Sequence, residues 1–98
     1  MSKFGELIDV EIPVLLDFYT ENNEQTEAMH LVLRDVAAAL GDKAKVIKID
    51  VDKNQELAEA LRVKSSPTLI IYKDGQMKWR QSGEQDANTL INLLQDFK

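Results

Sequence analysis

Hydrophobic positions along this chain follow two different periods, and the change from one to the other marks the elements. After Pro13 comes Val14-Leu15-Leu16-Asp17-Phe18-Tyr19, an apolar run of strand length with no polar alternation. Such a run suits a strand covered on both faces, as in a parallel sheet. Asn22-Asn23 then open a helical stretch in which Met29, Val32, Leu33, Val36 and Leu40 recur at three- and four-residue steps, with Gly41 as its stop. Val46 to Val51 reads as the next strand, with Ile47, Ile49 and Val51 on one face and Lys48 and Asp50 on the other. Asn54 is placed to cap a short helix that carries Leu57, Ala58 and Leu61 inward. Two strand-like runs, Thr68 to Lys73 and Gln76 to Gln81, flank Asp74-Gly75, the strongest short-range signal for a two-residue antiparallel hairpin. Leu90, Ile91, Leu93, Leu94 and Phe97 mark a last amphipathic helix starting near Asp86, and Phe4, Leu7 and Ile8 a weak first one. The order α-β-α-β-α-β-β-α predicts an α/β domain: a mixed four-stranded sheet with helices on both faces.

Composition narrows the function more than the fold. Ninety-eight residues, with no linker or repeat, read as one domain spanning 1–98. A net charge of -5 argues against a nucleic-acid partner, whose footprint is basic, and against an anionic membrane surface. No apolar run reaches bilayer length and the first residues do not resemble a signal peptide, so the expected setting is cytoplasmic. The chain has no cysteine, which removes disulfides, thiolate-bound metals and thiol catalysis. With His30 as the single histidine, no His-rich metal site is available and no cofactor is expected. A serine triad through His30 lacks a nucleophile turn of the G-x-S-x-G kind.

The element order, together with an isolated proline opening the hairpin, resembles thioredoxin over nearly the whole chain from Pro13 to Phe97. The residues that carry the resemblance are Val14 to Tyr19, the segment Lys48-Ile49-Asp50-Val51-Asp52-Lys53-Asn54, the run Val63-Lys64-Ser65-Ser66-Pro67-Thr68-Leu69, the turn Lys73-Asp74-Gly75, and Gly83. The resemblance implies a thioredoxin-like fold. Thioredoxin has a strand before its first helix, for which there is little room here, so four strands are expected rather than five.

The same resemblance implies Trp-Cys-x-x-Cys at the start of the long helix, and this chain departs from it. Counting from Asp17 places Asn23 and Thr26 at the cysteine positions and Asn22 at the tryptophan position. Dithiol exchange needs an attacking thiolate and a resolving thiol, and an amide and a hydroxyl supply neither. Asn23 and Thr26 also sit at a helix N-terminus, where a hydroxyl could serve glutathione-type chemistry. Glu21, Glu24 and Glu27 would repel that anionic thiol, and helix capping by Asn22 or Asn23 accounts for the same residues.

Asp17 is a carboxylate inside an apolar strand. The resemblance implies a buried aspartate that handles the proton of the resolving cysteine, with a lysine nearby that matches Lys48. On that reading Asp17 is either a relict acid without its thiol or a proton acceptor for something else. Here the pair reads as a tolerated polar contact between strands, with burial expected to raise the Asp17 pKa despite Lys48. Asp50 to Asn54 imitates a calcium loop but lacks its glycine, at Gln55, and its closing glutamate, at Leu61. His30 reads as a surface or half-buried residue, and Trp79 as packing beneath a helix. Ser66-Pro67 is the best functional candidate, because the resemblance implies a cis bond there and a backbone that pairs with a substrate peptide.

Two functions remain. One is a redox-inactive thioredoxin-like module that binds a protein or peptide through Asn22, Asn23, Thr26, Ser66, Pro67 and the Gly83 loop. The other is a thiol-disulfide oxidoreductase of the same family whose cysteines have been replaced.

Overall fold

The computed structural model describes residues 3–21 and 23–97. Its elements are α1 (Lys3–Ile8), β1 (Val14–Tyr19), α2 (Glu24–Leu40), β2 (Lys45–Asp50), α3 (Gln55–Ala60), β3 (Thr68–Lys73), β4 (Gln76–Ser82) and α4 (Ala87–Asp96), with a 3-10 turn at Gly41–Lys43. Among the described residues the sheet has four strands in the order β2-β1-β3-β4. β1 runs parallel to β2 and antiparallel to β3, and β3 pairs antiparallel with β4. The mixed four-stranded architecture expected from the pattern is the one observed.

The two central strands explain the unbroken apolar runs. Leu15, Leu69 and Ile71 face a core shared with Met29, Leu33, Val36 and Leu40 of α2 and Leu90 and Leu94 of α4. Their neighbours Val14, Leu16, Phe18, Ile70 and Tyr72 face the other way, onto Ile8 of α1 and the α3 side. Both faces are thus covered, and alternation disappears from the sequence for that reason. Phe4 of α1 meets Tyr72 edge-on at 5.6 Å between ring centres, which fixes the otherwise weak first helix on the sheet.

The hairpin turns through Asp74 and Gly75 at φ of 53° and 78°, the left-handed pair that a two-residue turn requires. Its amides also donate to Val10 O at 2.9 Å and Ile8 O at 3.0 Å, tying the turn to the end of α1. The register shifts once between Ile71 and Tyr72, so that Ile71 opposes Trp79 and Tyr72 opposes Met77. Trp79 consequently packs against the α2–α4 core. Asn54 stands at the start of α3 but does not cap it through its side chain. Its Nδ2 instead donates to Asp50 O at 2.9 Å, because Asp50 Oδ1 already turns the chain by accepting from Asp52 N, also at 2.9 Å. The expected side-chain cap at Asn54 is replaced by an aspartate-centred turn.

Candidate functional site

Three segments far apart in sequence meet at the carboxyl end of β1. Asn23 is the N-cap of α2, its Oδ1 accepting from Gln25 N at 2.8 Å. Asn22, the other expected cap and groove residue, lies outside the described residues. Thr26 falls on the buried stripe of α2, one step before Met29, and its Oγ1 donates to Thr20 O at 2.6 Å. Thr20 N in turn donates to Ser66 Oγ at 3.1 Å. The helix start and the Ser66–Pro67 loop are therefore joined through a single residue, Thr20.

The loop is held from its other side as well. The Ser66–Pro67 bond is cis. Thr68 Oγ1 donates to Ser65 O at 2.7 Å, and Gly83 N donates to Pro67 O at 2.8 Å. Gly83 adopts φ of 94°, a conformation that a side chain would strain. Asn23, Thr26, Ser66, Pro67 and Gly83 thus converge on one rim. Thr20, which links them, was missed in the sequence because a threonine after a strand carries no signal of its own. Glu21, Glu24 and Glu27 stand exposed along the start of α2 and make that rim acidic.

Behind the rim lies Asp17. It shares the sheet face of Leu15, toward α2, and is fully buried. Lys48 is its register partner across β1 and β2. The group at ion-pair distance is a different one, His30, whose Nε2 is 3.7 Å from Asp17 Oδ2. Neither carboxylate oxygen, nor that nitrogen, has a hydrogen-bond partner among the described residues. Burial pushes the Asp17 carboxyl up to about 6, against the opposing pull of the Lys48 ammonium. Burial holds the His30 imidazole below its usual value, and Lys48 acts in the same direction while Glu21 opposes both. The Tyr19 ring meets His30 edge-on at 4.8 Å. The signal for this contact was present: Asp17 is on the Leu15 face by strand parity, and His30 is four residues after Thr26, at the border of the buried helical stripe.

Among the described residues no three histidine, aspartate or glutamate side chains gather as a metal would require. Chemically the rim offers hydroxyls, an amide and backbone groups around a cis peptide, with a buried acid behind them.

This fold, with a cis-proline loop facing the start of the long helix, defines a thioredoxin-fold protein. The thioredoxin family model matches residues 1–96, and the chain belongs to the thioredoxin family. It is 38% identical over 95 residues to the chloroplastic thioredoxin Y of Oryza sativa subsp. japonica, a match covering 96% of this chain and 56% of that protein. The chain thus spans little more than half the length of the rice relative. A thioredoxin-like protein of Synechocystis sp. is 39% identical over 85 residues, covering 87% of this chain and 81% of the relative. Among solved structures, a mutant thioredoxin from Halobacterium salinarum NRC-1 superposes with a TM-score of 0.82 at 36% identity, over 94% of this chain and 82% of that one. The absence of cysteine from this chain is consistent with redox inactivity.

Proposed function

We propose that this chain is a redox-inactive thioredoxin-family module that binds an extended protein segment non-covalently along the Ser65–Ser66 backbone. The observation that supports the reading most directly is the hydrogen-bonded chain from Thr26 through Thr20 to Ser66, closed on the far side by Gly83 and Pro67. It holds the groove walls together with no cysteine present. A partner strand would pair antiparallel with this backbone, meeting Asn23 and the Gly83 loop with its side chains, while the buried Thr26 holds the groove wall from behind. Pro67 itself has no N–H to offer.

Glu21, Glu24 and Glu27, in a chain of net charge -5, favour a neutral or basic segment and binding that weakens with salt. With no covalent intermediate to hold the encounter, the affinity rests on a few hydrogen bonds and is about micromolar or weaker. The test uses a partner segment identified by affinity capture and then made as a synthetic peptide. Ser65 is exposed, so Ser65→Trp obstructs the groove without touching the core. Loss of peptide binding in that variant, at an unchanged denaturation midpoint, supports the reading. Binding equal to that of the unmodified chain rejects it.

A further inference from the structure

We propose that the free edge of β2 is a second docking surface, which takes an extended acidic peptide of another protein as an added strand. Among the described residues β2 is the outermost strand on its side of the sheet. Lys45 N donates to Pro13 O and Val51 N to Tyr19 O, both at 2.9 Å, so the odd-numbered residues of this stretch turn their backbone toward β1. Successive residues of a strand direct these groups to opposite edges, which turns Val46 and Lys48 outward. Asp50 also faces outward, but its carbonyl accepts from Asn54 Nδ2 at 2.9 Å. The pairing stretch is therefore centred on Val46 and Lys48.

A cleft flanks this edge on each face of the sheet. On the α2 side, about 610 Å³ is bordered by Leu31, Ala37, Val46, His30, Arg34 and Lys48. On the other side, about 290 Å³ is bordered by Phe4, Leu7, Ile49, Leu57, Lys3 and Lys48. Lys48 belongs to both. An added strand sends alternate side chains to opposite faces, so one strand on this edge fills both clefts. Leu31, 55% exposed in the first cleft, is one of the few large apolar side chains left to solvent.

Charge selects the occupant. Arg34 and Lys48 border the first cleft against Glu27, and Lys3 brings a cation to the second, whose border holds no acid. This basic edge lies on a chain of net charge -5. Carboxylates on the α2 side and β-branched side chains over Phe4, Leu7 and Leu57 complement it. A second copy does not: antiparallel self-pairing centred on Ile47 or Lys48 gathers the Lys48 charges from both strands on one face. The opposite charge preference of the two surfaces, basic here and acidic at the Ser66 rim, also separates their ligands.

The probe is an acetylated, amidated heptapeptide of alternating valine and glutamate, added to the isotope-labelled full chain. The Val46 and Lys48 amides exchange rapidly in the free chain and slow by about tenfold or more with peptide, while Asn23, Ser66 and Gly83 are unmoved. Lys48→Glu weakens binding by about fivefold or more, and replacing the peptide's glutamates with lysines restores binding to that variant. N-methylation blocks pairing on one edge of the peptide at a time: methylated glutamates and methylated valines form two series. Loss of binding in one series only is the result expected of strand addition, antiparallel for the glutamates and parallel for the valines. Any other pattern overturns the proposal. So do unchanged Val46 and Lys48 exchange at millimolar peptide, shifts confined to the Ser66 rim, or protection of these amides that rises with protein concentration alone.

Discussion

Asp17 Oδ2 lies 3.7 Å from His30 Nε2, one a fully buried carboxylate and the other a half-buried imidazole, and neither atom is hydrogen-bonded among the described residues. The two groups respond to burial in opposite directions, since charge is disfavoured on both: the acid holds its proton longer and the base takes one up later. At neutral pH the imidazole is mainly neutral, and the carboxylate carries a buried charge that the Lys48 ammonium offsets only in part.

The sign of the pH dependence follows for each group. The Asp17 value rises from 3.8 to about 6 on folding, so the unfolded chain loses the proton first. Its contribution to stability is fully present below 3.8 and is lost as pH rises through 6, a loss of roughly 3 kcal/mol. His30 works the other way: its contribution is present above 6.5 and is lost as pH falls through its lowered folded value. Asp17→Asn removes the first effect and leaves the second. Urea midpoints at pH 4, 5.5 and 7.5 should show the variant gaining on the parent chain as pH rises. Parallel pH profiles for the two proteins would contradict the burial of an acid whose desolvation outweighs the pull of Lys48.

Much of the fold was legible because its signals are local. Asp74-Gly75 dictates its turn whatever surrounds it, and the α2 stripe from Met29 to Leu40 follows from helical spacing. The site was legible only in part. Its segments could be named from the resemblance, yet their joining depends on Thr20, whose backbone and side chain link Thr26 to Ser66 across 46 residues of sequence. His30 was undervalued because a single histidine on a helix gains meaning only once β1 places Asp17 beneath it. At Asn54 the error lay in local competition: Asp50 takes the turn, and the asparagine caps its carbonyl instead.

Ser66→Ala isolates the joint between β1 and the cis-proline loop. The change strands Thr20 N–H, whose acceptor is Ser66 Oγ at 3.1 Å, in a partly buried position. The expected loss is about 1–2 kcal/mol, read as a lower urea midpoint at constant slope. A midpoint within error of the parent chain would show that water replaces the hydroxyl at no cost and that the joint is not a structural one.

The correspondence of Asn23 and Thr26 with redox cysteines can be tested by restoring the thiols. Thr26 N donates to Asn23 O at 3.0 Å across the first turn of α2, so both side chains leave one helix start. The positive end of the helix dipole there lowers a thiol pKa. Asn23→Cys with Thr26→Cys should form an intramolecular disulfide on mild oxidation and catalyse insulin reduction by a dithiol, whereas the unmodified chain should give only the background rate. A double variant that oxidises into intermolecular dimers would place the two positions too far apart.

The central claim, a peptide groove kept without its redox chemistry, is tested most directly by mapping the bound partner segment on the protein's amides. With the synthetic partner peptide titrated into the labelled chain, the largest shifts should fall at Asn23, Thr26, Ser65, Ser66 and Gly83, and should weaken as salt is raised from low to physiological levels. Shifts confined to the exposed face of α4, with the Ser66 loop and the start of α2 unmoved, would mean the groove is closed and the claim is wrong.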